Sequence, residues 1–204
     1  MTTPRDLLIT AMDLTASRPA EQPEQGDLSL ALAGAELIDL LEARAITLDG
    51  DHIVPSDRRA TADRGLDEAA SSLARQPPYE SVGDWLWRRG RGLSAAYLAA
   101  LEAEGRLTRQ RRPWMIFQPA RLVLVDSPAR RQAANRWASE EPVLTALAAA
   151  VGIGDKQTGE SPSVADDAVA AVLAAVHDAV RSLEAERQRR ALDEAAFDNI
   201  WRGE

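Results

Sequence analysis

Two apolar stripes at helical spacing constrain this chain most. Leu30, Gly34, Leu37, Ile38 and Leu41 recur every three to four residues, with Glu36, Asp39 and Glu42 placed opposite. Val169, Val172, Leu173, Val176, Val180 and Leu183 do the same near the C-terminus. A chain holding two such stripes must bury them against each other or against further helices. The expectation is a mainly α fold: a central helical bundle with surrounding helices and two short β-hairpins.

The punctuation between the stripes sets the remaining elements. Asp6 to Leu14 reads as a short helix, and 15–25, with Pro19 and Pro23, as a loop. Asp27 is the expected N-cap of the central helix. Ile46 to Val54 reads as a hairpin turning at Asp49-Gly50, since glycine accepts the positive φ of a tight turn. Helices are predicted from about Arg64 to Arg75, capped by Asp63, from Ser81 to Gly90 and over 93–104, the last stopping at Gly105. Leu107 to Phe117 reads as the second hairpin, turning near Arg111-Arg112, with Arg121 to Val125 as an added strand. Ser127-Pro128 and Pro142 open two more helices. Residues 153–163 read as a mobile loop. From Ser163 the long helix runs towards Arg190, and a separate short tail helix reaches Trp201. No internal repeat or domain boundary is visible, so 1–204 is taken as one domain.

The chain has no cysteine, which removes disulfides, thiolate metal sites and thiol nucleophiles, and fits a cytosolic setting. The N-terminal apolar run is too short for a signal peptide, and no window approaches the roughly 20 apolar residues of a transmembrane helix. Any membrane contact is therefore expected to be peripheral, on the cytosolic face. Of the 24 basic residues all but Lys156 are arginine, which together with abundant alanine reads as the mark of a GC-rich genome.

Charge is strongly segregated. Residues 86–136 hold eleven arginines and three acids, whereas the flanking segments are acidic and the total is −8. Such a block is expected to draw an anionic surface or ligand. The alternative is a solvated arginine face around an ordinary core strand. Within the block, Trp114, Met115, Ile116 and Phe117 form an apolar run directly after Arg111, Arg112 and Pro113. Either this run is a tip that touches a bilayer or partner, or it alternates and buries Trp114 and Ile116, or Met115 and Phe117, in the core.

Catalytic chemistry finds little footing. His52 lies beside a turn and His177 on a helix, with no partners at zinc-ligand spacing. Ser94 lacks the second glycine of a nucleophile elbow and reads as a helix-start residue. Asp49 and Asp51 suit a turn, and Asp166 and Asp167 suit a helix N-terminus. No phosphate-cradling glycine loop is present. The expectation is a non-enzymatic binding protein without cofactor or metal. A winged-helix outline, with Arg109, Arg111 and Arg112 as the wing, is the nucleic-acid alternative. The pI near 4.9 and the apolar run argue against it.

Several segments in order resemble the Golgi phosphoprotein 3 family, in its bacterial, actinobacterial branch. They are LSLALAGAELIDLL at 28–41, leading into the hairpin at Ile46, then LDEA at 66–69, QPP at 76–78, VGDW at 82–85 and LAALEAEGRL at 98–107. The resemblance implies a peripheral membrane protein. Eukaryotic members bind phosphatidylinositol 4-phosphate and tether glycosyltransferase tails to Golgi membranes. Their phosphate pocket uses a tryptophan and three arginines, beside a hairpin whose apolar tip enters the bilayer and mediates self-association. Arg91 falls on one pocket arginine, Ser94 and Ala33 fall where the other two would be, and residues 18–27 lack the tryptophan.

Arg88 and Arg89, within a turn of Arg91, are the candidates to supply the missing charge. The headgroup site is accordingly expected at Arg88, Arg89, Arg91 and Ser94, their guanidinium groups converging on one anion. The membrane-contact hairpin is expected at Arg109, Arg111, Arg112, Trp114, Met115, Ile116 and Phe117, with basic residues near an anionic surface contributing about 1 kcal/mol each. Expected partners are an anionic phospholipid membrane, a client protein, and a second copy through the 107–117 hairpin. The competing expectation is a cytosolic protein-interaction or regulatory module without a lipid role.

Overall fold

The computed structural model describes residues 2–18, 22–56, 63–110, 121–154 and 166–202; the side chains of 110, 121 and 195–202 fall outside that description. Among these residues lie eight helices and two antiparallel hairpins, the mainly α architecture that the stripes require. The helices are α1 (Thr3–Ser17), α2 (Gln25–Glu42), α3 (Arg64–Ser71), α4 (Val82–Arg89), α5 (Leu93–Ala103), α6 (Pro128–Ala138), α7 (Pro142–Ala150) and α8 (Asp167–Arg202). The strands are β1 (Ile46–Asp49), β2 (His52–Pro55), β3 (Leu107–Gln110) and β4 (Arg121–Leu124).

α2 is the axis of the bundle. It packs against α1, α5, α8, α4, α7 and α3, so it is enclosed on every side. Its residues 30–38 are all buried, including Glu36, which the stripe placed on an outer face. The helix that looked amphipathic has no outer face there. α8 runs across α2 at Gly34, where an added Cβ would collide with a methyl of Val176. Glycine is needed at that position for two backbones to approach closely.

Local signals account for several helix starts. Asp63 accepts from the amides of Gly65 and Leu66, Ser81 from Asp84, Ser127 from Arg130, and Glu141 from Val143 and Leu144. Other boundaries move. α1 begins at Thr3 and reaches Ser17. α2 begins at Gln25 with Glu24 as its cap, so Asp27 lies inside the first turn and pairs instead with Arg187 of α8 at 2.9 Å. α3 stops at Ser71, four residues earlier than expected. α8 is one helix from Asp167 to Arg202, with no break near Arg190, because nothing in 188–194 interrupts helical propensity.

Both hairpins differ in detail from the expectation. Asp49 pairs with His52, so the turn is Gly50-Asp51, with Gly50 at φ +61°. β3 pairs with β4 in the register Leu107↔Leu124 to Gln110↔Arg121. The strand expected as an addition is therefore the partner of 107–110, and the hairpin spans 107–124 rather than closing by 117. Leu107 and Leu124 face each other across the base and are buried, which fixes the register. Arg111, Arg112, Trp114, Met115, Ile116 and Phe117 lie outside the described residues, as does nearly all of the 153–163 loop.

Candidate functional site

The arginine block meets the acidic flanks inside the molecule. Arg88 forks onto Glu80 at 2.6 and 2.7 Å and lies over the Trp85 ring, 5.1 Å from its centroid. Arg89 forks onto Glu36 at 2.8 and 3.0 Å and reaches Glu68 at 3.1 Å. Arg130 holds Asp13, and Arg136 bridges Asp6 and Glu141. Arg106, Arg109 and Arg131 take the block's own acids, Glu104, Glu102 and Asp126. Bidentate arginine–carboxylate pairs are among the stronger polar contacts available to a protein. Much of the segregated charge thus ties the middle of the chain to its ends.

Arg91 is the exception. Among the described residues it has no carboxylate partner, and its side chain is exposed. It lines a half-open cleft of about 320 Å³ between the start of α2, the α4–α5 corner and α8. Gly92 shapes the corner: its φ of +69° turns the chain between α4 and α5, a conformation that costs a side-chain-bearing residue about 1 kcal/mol or more. Ser94 and Ser29 form the polar floor. The Ser29 hydroxyl donates to the Gln25 carbonyl at 2.7 Å and accepts the Ser94 amide at 3.1 Å, and the two hydroxyl oxygens are 2.9 Å apart. Trp87, 42% exposed, stands at the rim, and Leu30 and Leu183 also line the cleft.

The expected convergence of Arg88, Arg89 and Arg91 is not what the structure presents. Arg91 and Ser94 share the cleft; Arg88 and Arg89 are engaged elsewhere, and neither lines it. Ala33 is fully buried and its carbonyl accepts the Trp85 indole N–H at 3.2 Å. Arg109, at the start of the hairpin, is paired with Glu102. Sequence reasoning sought a tryptophan in 18–27 and overlooked Trp87. The signal was available: two residues apart on one helix, Trp85 and Trp87 point about 160° away from each other, so one must leave the core.

The buried polar cluster behind the corner is structural. Glu36 is fully buried and accepts from the Tyr97 hydroxyl at 3.0 Å as well as from Arg89. Burial pushes its carboxyl above the usual range, while Arg89 and Tyr97 pull it back. Neither histidine enters a site: His52 and His177 are exposed, and His52 contacts Asp51 at 2.7 Å. No cluster of three or more candidate metal ligands occurs among the described residues. No helix among them is long and apolar enough to cross a membrane.

The helical bundle around a buried central helix thus carries a small cleft with one cation that is unpaired among the described residues and one exposed tryptophan. The chain belongs to the Golgi phosphoprotein 3 (GPP34) family, whose model matches residues 4–199. No curated protein matches it.

Proposed function

We propose that this chain is a non-enzymatic peripheral membrane adaptor that holds an anionic phospholipid headgroup at the Arg91 cleft. One observation carries the reading: among the arginines of the basic block whose side chains are described, Arg91 alone has no carboxylate partner, and it lines a cleft beside an exposed tryptophan. An unpaired guanidinium offers a phosphate two parallel N–H donors. Trp87 suits the bilayer interface, where an aromatic ring with a polar edge is favoured. Ser94 and Ser29, bonded to each other and to the Gln25 carbonyl, hold the floor of the cleft beside Arg91. Arg88 and Arg89 are assigned to holding α4 in place rather than to the headgroup. Arg111, Arg112 and the 114–117 run supply the second contact, by charge and apolar insertion.

With one cation in the cleft, general affinity for anionic membranes is favoured over strong selection of phosphatidylinositol 4-phosphate. Family membership supports the adaptor role; the client is a protein held at the membrane while the cleft and hairpin engage lipid. The test is co-sedimentation with neutral, generic anionic and phosphatidylinositol 4-phosphate vesicles, for wild type, Arg91→Gln and Ile116→Asp. Binding confined to anionic vesicles and weakened in both variants is the expected result. Absence of binding to every vesicle overturns the lipid role and leaves the protein-interaction module as the reading to pursue.

A further inference from the structure

We propose that the C-terminal part of α8 is a homodimerisation arm that pairs antiparallel with the same segment of a second copy. Among the described residues, the last ion pair between α8 and the body is Arg187 to Asp27 at 2.9 Å. Beyond it the helix continues through residues 188–202, about 22 Å of extension. Every described side chain from 188 to 194 is exposed, and Leu192, at 71%, is the most exposed large apolar residue among those described.

The arm changes face where it leaves the body. The stripe that α8 lays on its own domain runs through Val172, Val176, Val180 and Leu183 to Arg187. Continued by helical steps, it reaches Arg190 and Glu194, both exposed and charged. Leu192 lies about 160° round the helix from Val176 and so points away from the parent domain. No described residue covers it against a second helix.

Charge selects the occupant and its direction. Arg189 and Asp193 lie about 60° and 100° round from Leu192, on the same flank. Within the chain Arg189 has an exposed contact to Glu186 at 3.1 Å, and no partner for Asp193 is found among the described residues. A two-fold axis that sets two arms antiparallel keeps like flanks on one side. It brings Arg189 of each copy to Asp193 of the other and packs the two Leu192 side chains near the axis. A parallel copy would put the two flanks on opposite sides of the interface and part Arg189 from the Asp193 of the other copy. The self-complementary arrangement is the isologous kind that closes at two subunits. Two short helices fall below the roughly 1,200 Å² of a standard specific interface, so the dimer is expected in the micromolar range.

Sedimentation equilibrium of the full chain tests this. Wild type is expected to dimerise, Leu192→Asp to weaken the dimer at least about tenfold, and Arg189→Asp to weaken it about fivefold. Arg189→Asp combined with Asp193→Arg is expected to restore it. Circular dichroism should show unchanged helix content, since Leu192 touches no core. A wild-type chain that stays monomeric at about 100 µM overturns the proposal. So does a dimer that survives Leu192→Asp, which would place association elsewhere, and so does a charge swap that restores nothing.

Discussion

Arg89 on α4 forks onto Glu36 on α2, 53 residues away in sequence, and the carboxylate it holds is completely buried. The pair explains how a charged residue survives in the most enclosed helix of the bundle: both of its oxygens are occupied, one of them twice. It also removes an arginine from the surface charge that the sequence advertises.

Breaking that pair from one side leaves an orphaned charge in the core. Arg89→Met is expected to cost about 3–5 kcal/mol in urea unfolding, because Glu36 then stays buried without its cation. Glu36→Leu with Arg89→Met should cost markedly less than Arg89→Met alone. A double variant as unstable as the single would mean that the pair contributes more than the relief of mutual burial.

At Gly34, α2 leaves no room for a Cβ beside Val176 of α8. Gly34→Ala is expected to destabilise by about 1–3 kcal/mol through overpacking against Val176. Adding Val176→Ala should recover part of that loss, since it removes the colliding methyl. Thermal unfolding of the two variants decides the point.

Asp39 accepts the Thr3 amide at 2.8 Å and tethers the start of α1 to α2. Burial pushes its carboxyl from 3.8 up to about 6, with the Thr3 hydrogen bond opposing. Between about pH 4 and 6 the folded chain therefore binds this proton more tightly than the unfolded one, and stability falls as pH rises through that window. Burial raises Asp6 and Glu36 in the same direction. Asp39→Asn keeps an oxygen for Thr3 and removes the charge. It should stabilise the protein by up to about 1 kcal/mol at neutral pH, after allowance for partial solvent screening, and leave it unchanged near pH 4. An unaltered stability profile would show that the carboxylate is well solvated.

Trp87 and Arg91 separate binding from folding. Both are exposed, so Trp87→Ala and Arg91→Gln should each shift unfolding by less than about 0.5 kcal/mol. Each is expected to lower affinity for anionic vesicles about fivefold, in line with roughly 1 kcal/mol per interfacial contact. Arg88→Gln, which breaks the Glu80 fork, should leave vesicle affinity nearly unchanged. If Arg88→Gln and Arg91→Gln weaken vesicle binding equally, the cleft is not the site.

Much of the architecture could be read from residues alone. Period and punctuation identified α2, α4, α5, α6, α7 and the start of each hairpin, since caps such as Ser81 and Ser127 and glycines such as Gly105 act within a few residues. The partner of β3 was not legible, because strand pairing is decided across a connection whose length no local signal reports. Nor was the burial of Glu36, because a polar residue opposite an apolar stripe looks solvent-facing until other helices close over it.

The candidate site divides the same way. Sequence alone singled out the basic block and, through the order of its motifs, Arg91 and Ser94. It could not say which arginines were free. That depends on whether a carboxylate from another helix lies within about 3 Å, and Glu36, Glu68, Glu80, Asp6 and Asp13 reach their partners only when α1, α2, α3 and the segment before α4 pack around the block. Composition determined how much positive charge the middle of the chain holds. Tertiary structure decided which of the described arginines are paired across helices, because Coulomb attraction between groups far apart in sequence acts only once packing has brought them together in space.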